Sequence, residues 1–146
     1  MKKKTYSPRI FVSKTYSIEQ CRTHFDSLFV FGDNDMRIGM GGQAIVREQV
    51  NTIGFSTKKA PGGAAVDYYT DDEYKENCER IEEEIKKIWK YAEEKDYKVI
   101  VFPYMGLGTG LSEMPIRCIK TFSYLCLRLA EEFSYNNLEG QFNKNT

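Results

Sequence analysis

Lys98-Val-Ile-Val-Phe-Pro103 is the stretch that decides the fold, because an apolar run of this kind is typical of a strand covered on both faces. The glycine-rich turn Gly106-Leu-Gly-Thr-Gly110 follows it, and Pro115 is well placed for the first turn of a helix. The same order begins at Leu28-Phe-Val-Phe31, which leads to the turn Gly39-Met-Gly-Gly42. Strands that alternate with helices predict an α/β domain with a mixed, mostly parallel sheet and helices on both faces.

Shorter signals predict the remaining elements. We expect strands within residues 9–14 and 53–57, and helices over residues 18–25 and 43–50. Two capping boxes, Ser17-Ile-Glu-Gln20 and Thr70-Asp-Asp-Glu73, mark helix starts. The helix after the second box turns its Glu and Lys run to water and buries an apolar stripe formed by Tyr74, Cys78, Ile81, Ile85, Ile88 and Ala92. The helix after Pro115 has the same spacing at Ile116, Ile119, Phe122, Cys126, Leu129 and Phe133.

The length and the charge of the chain limit the classes of protein to which it can belong. The length and the local patterns predict a flexible lead-in over residues 1–8, one domain over 9–134 and a frayed tail over 135–146. Lys+Arg and Asp+Glu both number 21, so the chain lacks the basic excess expected of a duplex nucleic-acid binder. Because no signal peptide or membrane-length apolar run is apparent, we expect a cytoplasmic protein that does not associate with membranes.

Cysteine and histidine usage argues against a metal site or a disulfide framework. The four cysteines show no Cys-x-x-Cys spacing, and His24 is the only histidine. A zinc site would need more histidines, so we expect neither a metal nor a cofactor and predict buried free thiols.

The two glycine-rich turns suggest a phosphate site. Turns that follow parallel strands lie at the carboxyl ends of the sheet, and glycine lets backbone N–H groups approach an anion. Two such turns facing one crevice would grip a pyrophosphate from both sides. The alternative is that the glycines only form tight turns. Neither turn has the spacing of the dinucleotide fingerprint or of a nucleoside-triphosphate loop.

The segments from Phe31 to Ala44 and from Val101 to Pro115 resemble the two ligand loops of macro domains, which bind ADP-ribose. In that family an asparagine ends a buried strand and a glycine cluster begins five residues later, as Asn34 and Gly39 do here. The second loop of the family also follows a strand that ends in proline and contains a Ser/Thr-Gly turn.

The resemblance implies a role for each loop residue. Asn34 would meet the distal ribose of the ligand. If the domain is a hydrolase, Asp33 or Asp35 nearby would activate water or protonate a leaving group; alternatively, one of these aspartates simply caps the turn. Two sets of loop residues would hold the phosphates: Gly39, Gly41, Gly42 and Gln43 in one loop, and Gly106, Gly108, Thr109 and Gly110 in the other. The chain has no Gly-Asp-Ile-Thr-like segment, whose aspartate reads adenine in that family, so the base stays open.

Chemistry alone suggests further candidates outside the two turns. Lys58 and Lys59 would supply the positive charge that the turns lack, or form a solvated pair. Arg37 would reach phosphate or ribose, or form a surface ion pair. Tyr68 or Tyr69 would stack on a base, or serve in packing.

Three hypotheses for function follow. The first is a hydrolase that cleaves an ADP-ribosyl linkage. The second is a non-catalytic module that sequesters ADP-ribose, a cyclic ADP-ribose or another NAD-derived signal, for example in phage–host conflict. The third is an interaction domain whose glycine turns are purely structural. The oligomeric state stays open.

Overall fold

The computed structural model describes residues 6–143 and contains one four-stranded sheet in the order β1-β4-β2-β3, with every neighbouring pair parallel. The strands are β1 (Arg9–Ser13), β2 (Ser27–Asp33), β3 (Thr52–Ser56) and β4 (Val99–Pro103). The helices are α1 (Ile18–Thr23), α2 (Tyr74–Glu94), α3 (Met114–Arg117), α4 (Ile119–Phe133) and α5 (Glu139–Asn143). The predicted α/β class is confirmed, and the sheet is parallel throughout the described residues.

The two apolar runs of the sequence form the central pair of strands, β2 and β4. Phe29 lies opposite Val101 in this pair, while β1 and β3 form the edges. A central parallel strand is covered on both faces, which explains why these runs do not alternate with polar residues. Both strands end at the same edge of the sheet, so the chain segments that follow them are neighbours.

The two faces of the sheet are covered unequally. The long helices α2 and α4 pack together on one face, where Ile85, Leu125 and Leu129 are buried in the larger core. The other face has a smaller core around Cys21, Phe29 and Val46, contributed by α1, β2 and the turn after the first glycine cluster.

The predicted helix over residues 43–50 is wrong. A 3-10 helix spans Gly42–Val46, and a further turn, in which the N–H of Gln49 donates to the carbonyl of Val46, follows before β3. The buried Asn51 holds the chain in place between these turns and β3, because its side-chain amide donates to the carbonyls of Cys21, His24 and Ser27. That tertiary anchor favours a compact turn over a longer α-helix.

The second capping box does not act as predicted. Thr70 makes no side-chain cap, and a 3-10 turn, Asp71–Glu73, precedes α2. Asp71 instead accepts hydrogen bonds from the backbone N–H groups of Lys120 and Thr121 at 2.9 Å each. Burial alone would raise the pKa of Asp71, but these bonds outweigh it and lower the pKa. Asp71 therefore caps the beginning of α4.

This cap accompanies a break in the predicted helix after Pro115. The backbone leaves the helical region at Cys118, between α3 and α4. As a result Ile116 and Ile119 are 85% and 56% exposed, and the predicted stripe begins only at Phe122. The first box does begin α1, since Ser17 accepts from the N–H of Gln20, but the Gln20 side chain donates to Ser13 Oγ at 2.8 Å.

The termini of the predicted domain also need correction. The predicted flexible lead-in is packed from Tyr6 onward, since Tyr6 donates to the carbonyl of Tyr97; its first five residues lie outside the described part. The predicted frayed tail is wrong for residues 135–141, because Tyr135 and Asn137 are buried and α5 follows them. Residues 144–146 also lie outside the described range.

All four cysteines are free. Cys21 and Cys118 are buried, and Cys78 and Cys126 are half-buried. Burial raises the pKa of Cys21 to about 11, which keeps this thiol protonated.

Within residues 6–143, every helix is too short or too polar to cross a lipid bilayer.

Candidate functional site

A cavity of about 430 Å³ lies at the carboxyl ends of the strands. Three segments form its wall: the first loop (residues 34–42), the second loop (residues 104–113) and the Lys58 loop (residues 57–68). The predicted site residues that line it are Asp33, Asn34, Gly39, Gly41, Gly42, Gln43, Lys58, Gly106, Gly108 and Gly110. The structure therefore brings the two glycine turns together around one space.

Asn34 shapes the first loop with its own side chain. Its Nδ2 donates to the carbonyl of Ile38 at 2.8 Å, and its Oδ1 accepts from the N–H of Met36 at 3.0 Å. These bonds close a tight turn directly after β2. The amide predicted to meet a ribose is thus already engaged in holding the loop.

Asp33 is held by Arg47, a residue that the sequence did not single out. The guanidinium donates to Asp33 Oδ1 at 2.5 Å and Oδ2 at 3.0 Å, and the carboxylate is buried. The same guanidinium donates to the carbonyls of Ile38 and Gly39. Gly54 packs so closely that a Cβ there would collide with the Asp33 carboxylate. Arg47 thus joins the first loop to the end of β2.

Gln43 connects the two loops through its side chain. Its Oε1 accepts from the N–H of Gly32 at 2.8 Å, and its Nε2 donates to the carbonyl of Gly106 at 3.1 Å. The resemblance predicted only a backbone contact to phosphate at this position. The amide side chain instead sets the distance between β2 and the second loop.

The second loop is held from the C-terminal segment. Asn137 Oδ1 accepts from the N–H of Leu107 at 2.7 Å, and its Nδ2 donates to the Leu107 carbonyl at 3.0 Å. Gly106 and Gly108 have φ values of +94° and +82°, a region that glycine adopts without strain. Met114 packs so tightly against Gly108 that a side chain there would collide with its sulfur.

Backbone N–H groups at this cavity lack protein acceptors. Within the part of the chain that the structure describes, none accepts from the N–H groups of Gly41, Gly42 or Gln43 in and after the first loop. The same holds for Gly108 and Gly110 in the second. Polar backbone groups that find no protein partner bind water or a ligand, so these N–H groups are available to an anion.

Four predicted residues lie outside the cavity wall. Asp35 accepts from Ser56 Oγ and Tyr69 Oη at 2.5 Å each, on another side of the first loop. Burial, and then this bond, raises the pKa of Tyr69 well above its ordinary value, so the phenol stays protonated. Lys59 pairs with Glu73 at 2.7 Å, and the Thr109 hydroxyl donates to the carbonyl of its own loop at Met105.

Arg37, the fourth of these residues, faces α2. Its guanidinium donates to Glu84 Oε1 at 2.8 Å and to the carbonyl of Gly54. Glu84 is buried and also accepts from the N–H of Ser56, so the prediction that the Glu and Lys run of this helix faces water is wrong for Glu84. Burial alone would lower the pKa of Arg37, but the Glu84 and Asp33 carboxylates outweigh it and raise the pKa.

Lys58 enters the cavity from the end of β3. Its Nζ donates to the carbonyl of Gly62 at 2.5 Å and lies 4.3 Å from the ring centre of Tyr68. Arg117 Cζ lies 3.7 Å from the same ring centre. The Tyr68 ring, which was predicted to stack on a base, is buried and already contacts the cationic groups of Lys58 and Arg117.

Sequence reasoning missed several residues of the site. Arg47, Thr57, Ser112 and Glu113 line the cavity, and Asn137 supports it from behind. The Thr57 and Ser112 hydroxyls share a 2.5 Å hydrogen bond that links the Lys58 loop to the second loop. Of these five residues, only Ser112 and Glu113 lie within one of the two segments that resemble macro-domain loops, the one from Val101 to Pro115. Among the described residues, no group of His, Cys, Asp and Glu side chains is arranged to hold a metal ion.

Fold and cavity together define a parallel α/β domain with a candidate ligand site at the carboxyl ends of its strands. The chain belongs to a family of unknown function, DUF7831, whose model matches residues 11–128. That range includes both loops and Lys58. No curated protein and no solved structure matches the chain. The resemblance to macro domains stays a prediction.

Proposed function

We propose that this domain binds a nucleotide of the ADP-ribose type and holds its phosphates between the first and second loops. The observation that carries the proposal is the set of unpaired backbone N–H groups that the two loops contribute to one cavity. A diphosphate accepts several hydrogen bonds at once, which suits donors arranged on two sides of a narrow space.

The geometry favours binding over hydrolysis. The hydrolase hypothesis assigns the general base to Asp33 or Asp35, one of which would have to lie within hydrogen-bond reach of the attacking water. Both oxygens of Asp33 accept from Arg47, and Asp35 accepts from Ser56 and Tyr69 away from the cavity wall. The side chain of Asn34 is committed to its own loop. We therefore favour the module that sequesters an NAD-derived nucleotide over the hydrolase.

The volume of the cavity limits the ligand to a small molecule. A space of about 430 Å³ lies within the range of ordinary cofactor and nucleotide pockets. The neutral net charge agrees with a small ligand rather than with duplex nucleic acid.

Titration calorimetry with ADP-ribose tests the proposal. We expect binding of ADP-ribose, no binding of phosphate-free adenosine, and recovery of intact ADP-ribose by chromatography after incubation. Absence of heat with ADP-ribose, NAD and cyclic ADP-ribose alike would overturn the proposal. Cleavage of the bound ligand would restore the hydrolase hypothesis.

Gly110 offers a matched pair of variants for the phosphate contact. An added Cβ meets no atom within 4 Å, and the φ of Gly110 is not in the left-handed region, so both variants should fold. Gly110→Glu places a negative charge at the cavity wall and should weaken ADP-ribose binding at least about tenfold. Gly110→Gln, of the same size but neutral, should weaken it much less. Equal affinities for the two variants would argue against an anion at this loop.

A further inference from the structure

The ammonium group of Lys58 is buried without a carboxylate partner. Lys58 is 6% exposed, and its Nζ contacts the Gly62 carbonyl and the Tyr68 ring. Among residues 6–143, no Asp or Glu forms an ion pair with it, although the neighbouring Lys59 pairs with Glu73. A buried charge is costly unless it is paired, so an unpaired ammonium at a cavity wall calls for an anion from outside the chain.

The other charges of the cavity wall cancel in pairs. Asp33 is bound by both terminal nitrogens of Arg47. Glu113 pairs with the Nε of Arg117 at 2.9 Å. These two pairs leave Lys58 as the charged residue of the cavity wall without an oppositely charged partner among the described residues. A cation left unpaired between low-dielectric walls favours an anionic group at that charge.

Lys58 enters the cavity at the end of β3, whereas the two glycine turns follow β2 and β4. The first and second loops follow β2 and β4, which are neighbours, whereas Lys58 follows β3 on the far side of β2. Because neighbouring strands are about 4.8 Å apart, the ends of β3 and β4 are separated by roughly 10 Å. A diphosphate held between the glycine turns would then lie at the β2–β4 side of the cavity, with Lys58 at its β3 side.

The hydroxyl groups of Thr57 and Ser112, which lie near Lys58, have little capacity to bind this anion. Thr57 Oγ1 lies 3.3 Å from the carbonyl of Asp33 and shares a 2.5 Å hydrogen bond with Ser112 Oγ. Both hydroxyl groups are therefore engaged inside the protein. The ammonium of Lys58 is the charged donor left for a ligand at this end of the cavity.

We propose that Lys58 binds an anionic group of the ligand that is separate from the phosphates between the loops, such as a monoester phosphate on one of its two riboses. The inference rests on the proposed function, because it assigns a second contact to the same ligand. The preferred ligand then carries three phosphates rather than two. A phosphate on the adenosine ribose and one on the distal ribose present the same chemistry to Lys58.

Calorimetry with three probes tests the inference: ADP-ribose, its derivative phosphorylated on the adenosine ribose, and its derivative phosphorylated on the distal ribose. We expect one phosphorylated derivative to bind at least about tenfold more tightly than ADP-ribose. In Lys58→Met this ratio should fall to about one. The derivative that gains affinity identifies the ribose that lies towards Lys58.

Lys59→Met is the matched control, since Lys59 lies outside the cavity wall, and it should keep the wild-type ratio. Lys58→Met should fold with an unchanged or higher melting temperature, because it removes a buried charge that lacks a carboxylate partner. Binding of ADP-ribose with no gain from either phosphate would overturn this inference and leave the proposed function intact. No binding of any probe would overturn both.

Discussion

The first and second loops serve one cavity but are held by different physical means. The first loop is held by charge: Arg47 pairs with the buried Asp33 and donates to the carbonyls of Ile38 and Gly39. The second loop is held by a neutral amide: Asn137 pairs with both backbone groups of Leu107.

The origin of the two supports differs as well. Arg47 lies only a few residues after the first loop, in the turn that leads to β3. Asn137 lies in the C-terminal segment, beyond α4, so the second loop depends on a part of the chain far away in sequence. The second loop should therefore loosen when the C-terminal segment detaches, while the first loop should keep its shape.

Loss of Arg47 should have the largest effect on stability. Arg47→Met leaves the Asp33 carboxylate buried without its bidentate partner, which typically costs about 3–5 kcal/mol of the free energy of unfolding. Urea denaturation measures this loss. The added change Asp33→Asn should recover part of it, because it removes a buried charge whose remaining ion-pair partner is Arg37 at 3.6 Å.

An exposed arginine provides the comparison for that variant. Arg22 on α1 donates only to the Gln49 side chain at 3.3 Å, so Arg22→Met should stay within about 0.5 kcal/mol of the wild type. If Arg47→Met were as stable as Arg22→Met, the ion pair would not be what holds the first loop.

Loss of Asn137 should have the next largest effect and should act on the second loop. Asn137→Ala leaves the N–H and carbonyl of Leu107 without their partner in a buried place, at a cost of about 2–3 kcal/mol. Hydrogen exchange should show faster exchange at Leu107 while the amides of the first loop keep their rates.

The adjacent Asn136 is the natural control. It is exposed, and its Oδ1 accepts only from the N–H of Leu138 at 3.0 Å, so Asn136→Ala should change stability by a few tenths of a kcal/mol to about 1 kcal/mol. Faster exchange in both loops of Asn137→Ala would contradict the separation of the two supports.

Local patterns predicted the sheet well because strands and amphipathic helices leave periodic signals. The apolar runs at Leu28–Phe31 and Val99–Phe102 are the central strands, and the stripe through Ile81, Ile85 and Ile88 is buried as expected. The glycine turns were also placed correctly at one edge of the sheet, since parallel strands bring their carboxyl ends together.

The supports of the site could not be predicted in the same way, because they depend on contacts between distant segments. Glu84 sits in a run of exposed Glu and Lys residues, and only the approach of Arg37 and Ser56 gives it buried partners. Asn137 follows a Ser-Tyr-Asn stretch that has the composition of a tail. Its partner Leu107 is 30 residues earlier in the chain.

Gln43 connects the end of β2 to the second loop. Of the replacements at Arg47, Asn137 and Gln43, the one at Gln43 should have the smallest effect on stability. Gln43→Glu keeps the acceptor for the N–H of Gly32 but loses the donor to the carbonyl of Gly106, which should cost about 1 kcal/mol. The Gly106 carbonyl precedes Leu107, so the contacts of Gln43 and Asn137 meet in the second loop. A double-mutant cycle with Asn137→Ala should give a coupling energy above about 0.5 kcal/mol, and the cycle with Asn136→Ala should give none. Additive effects in the first cycle would mean that the second loop is held independently by Gln43 and by Asn137.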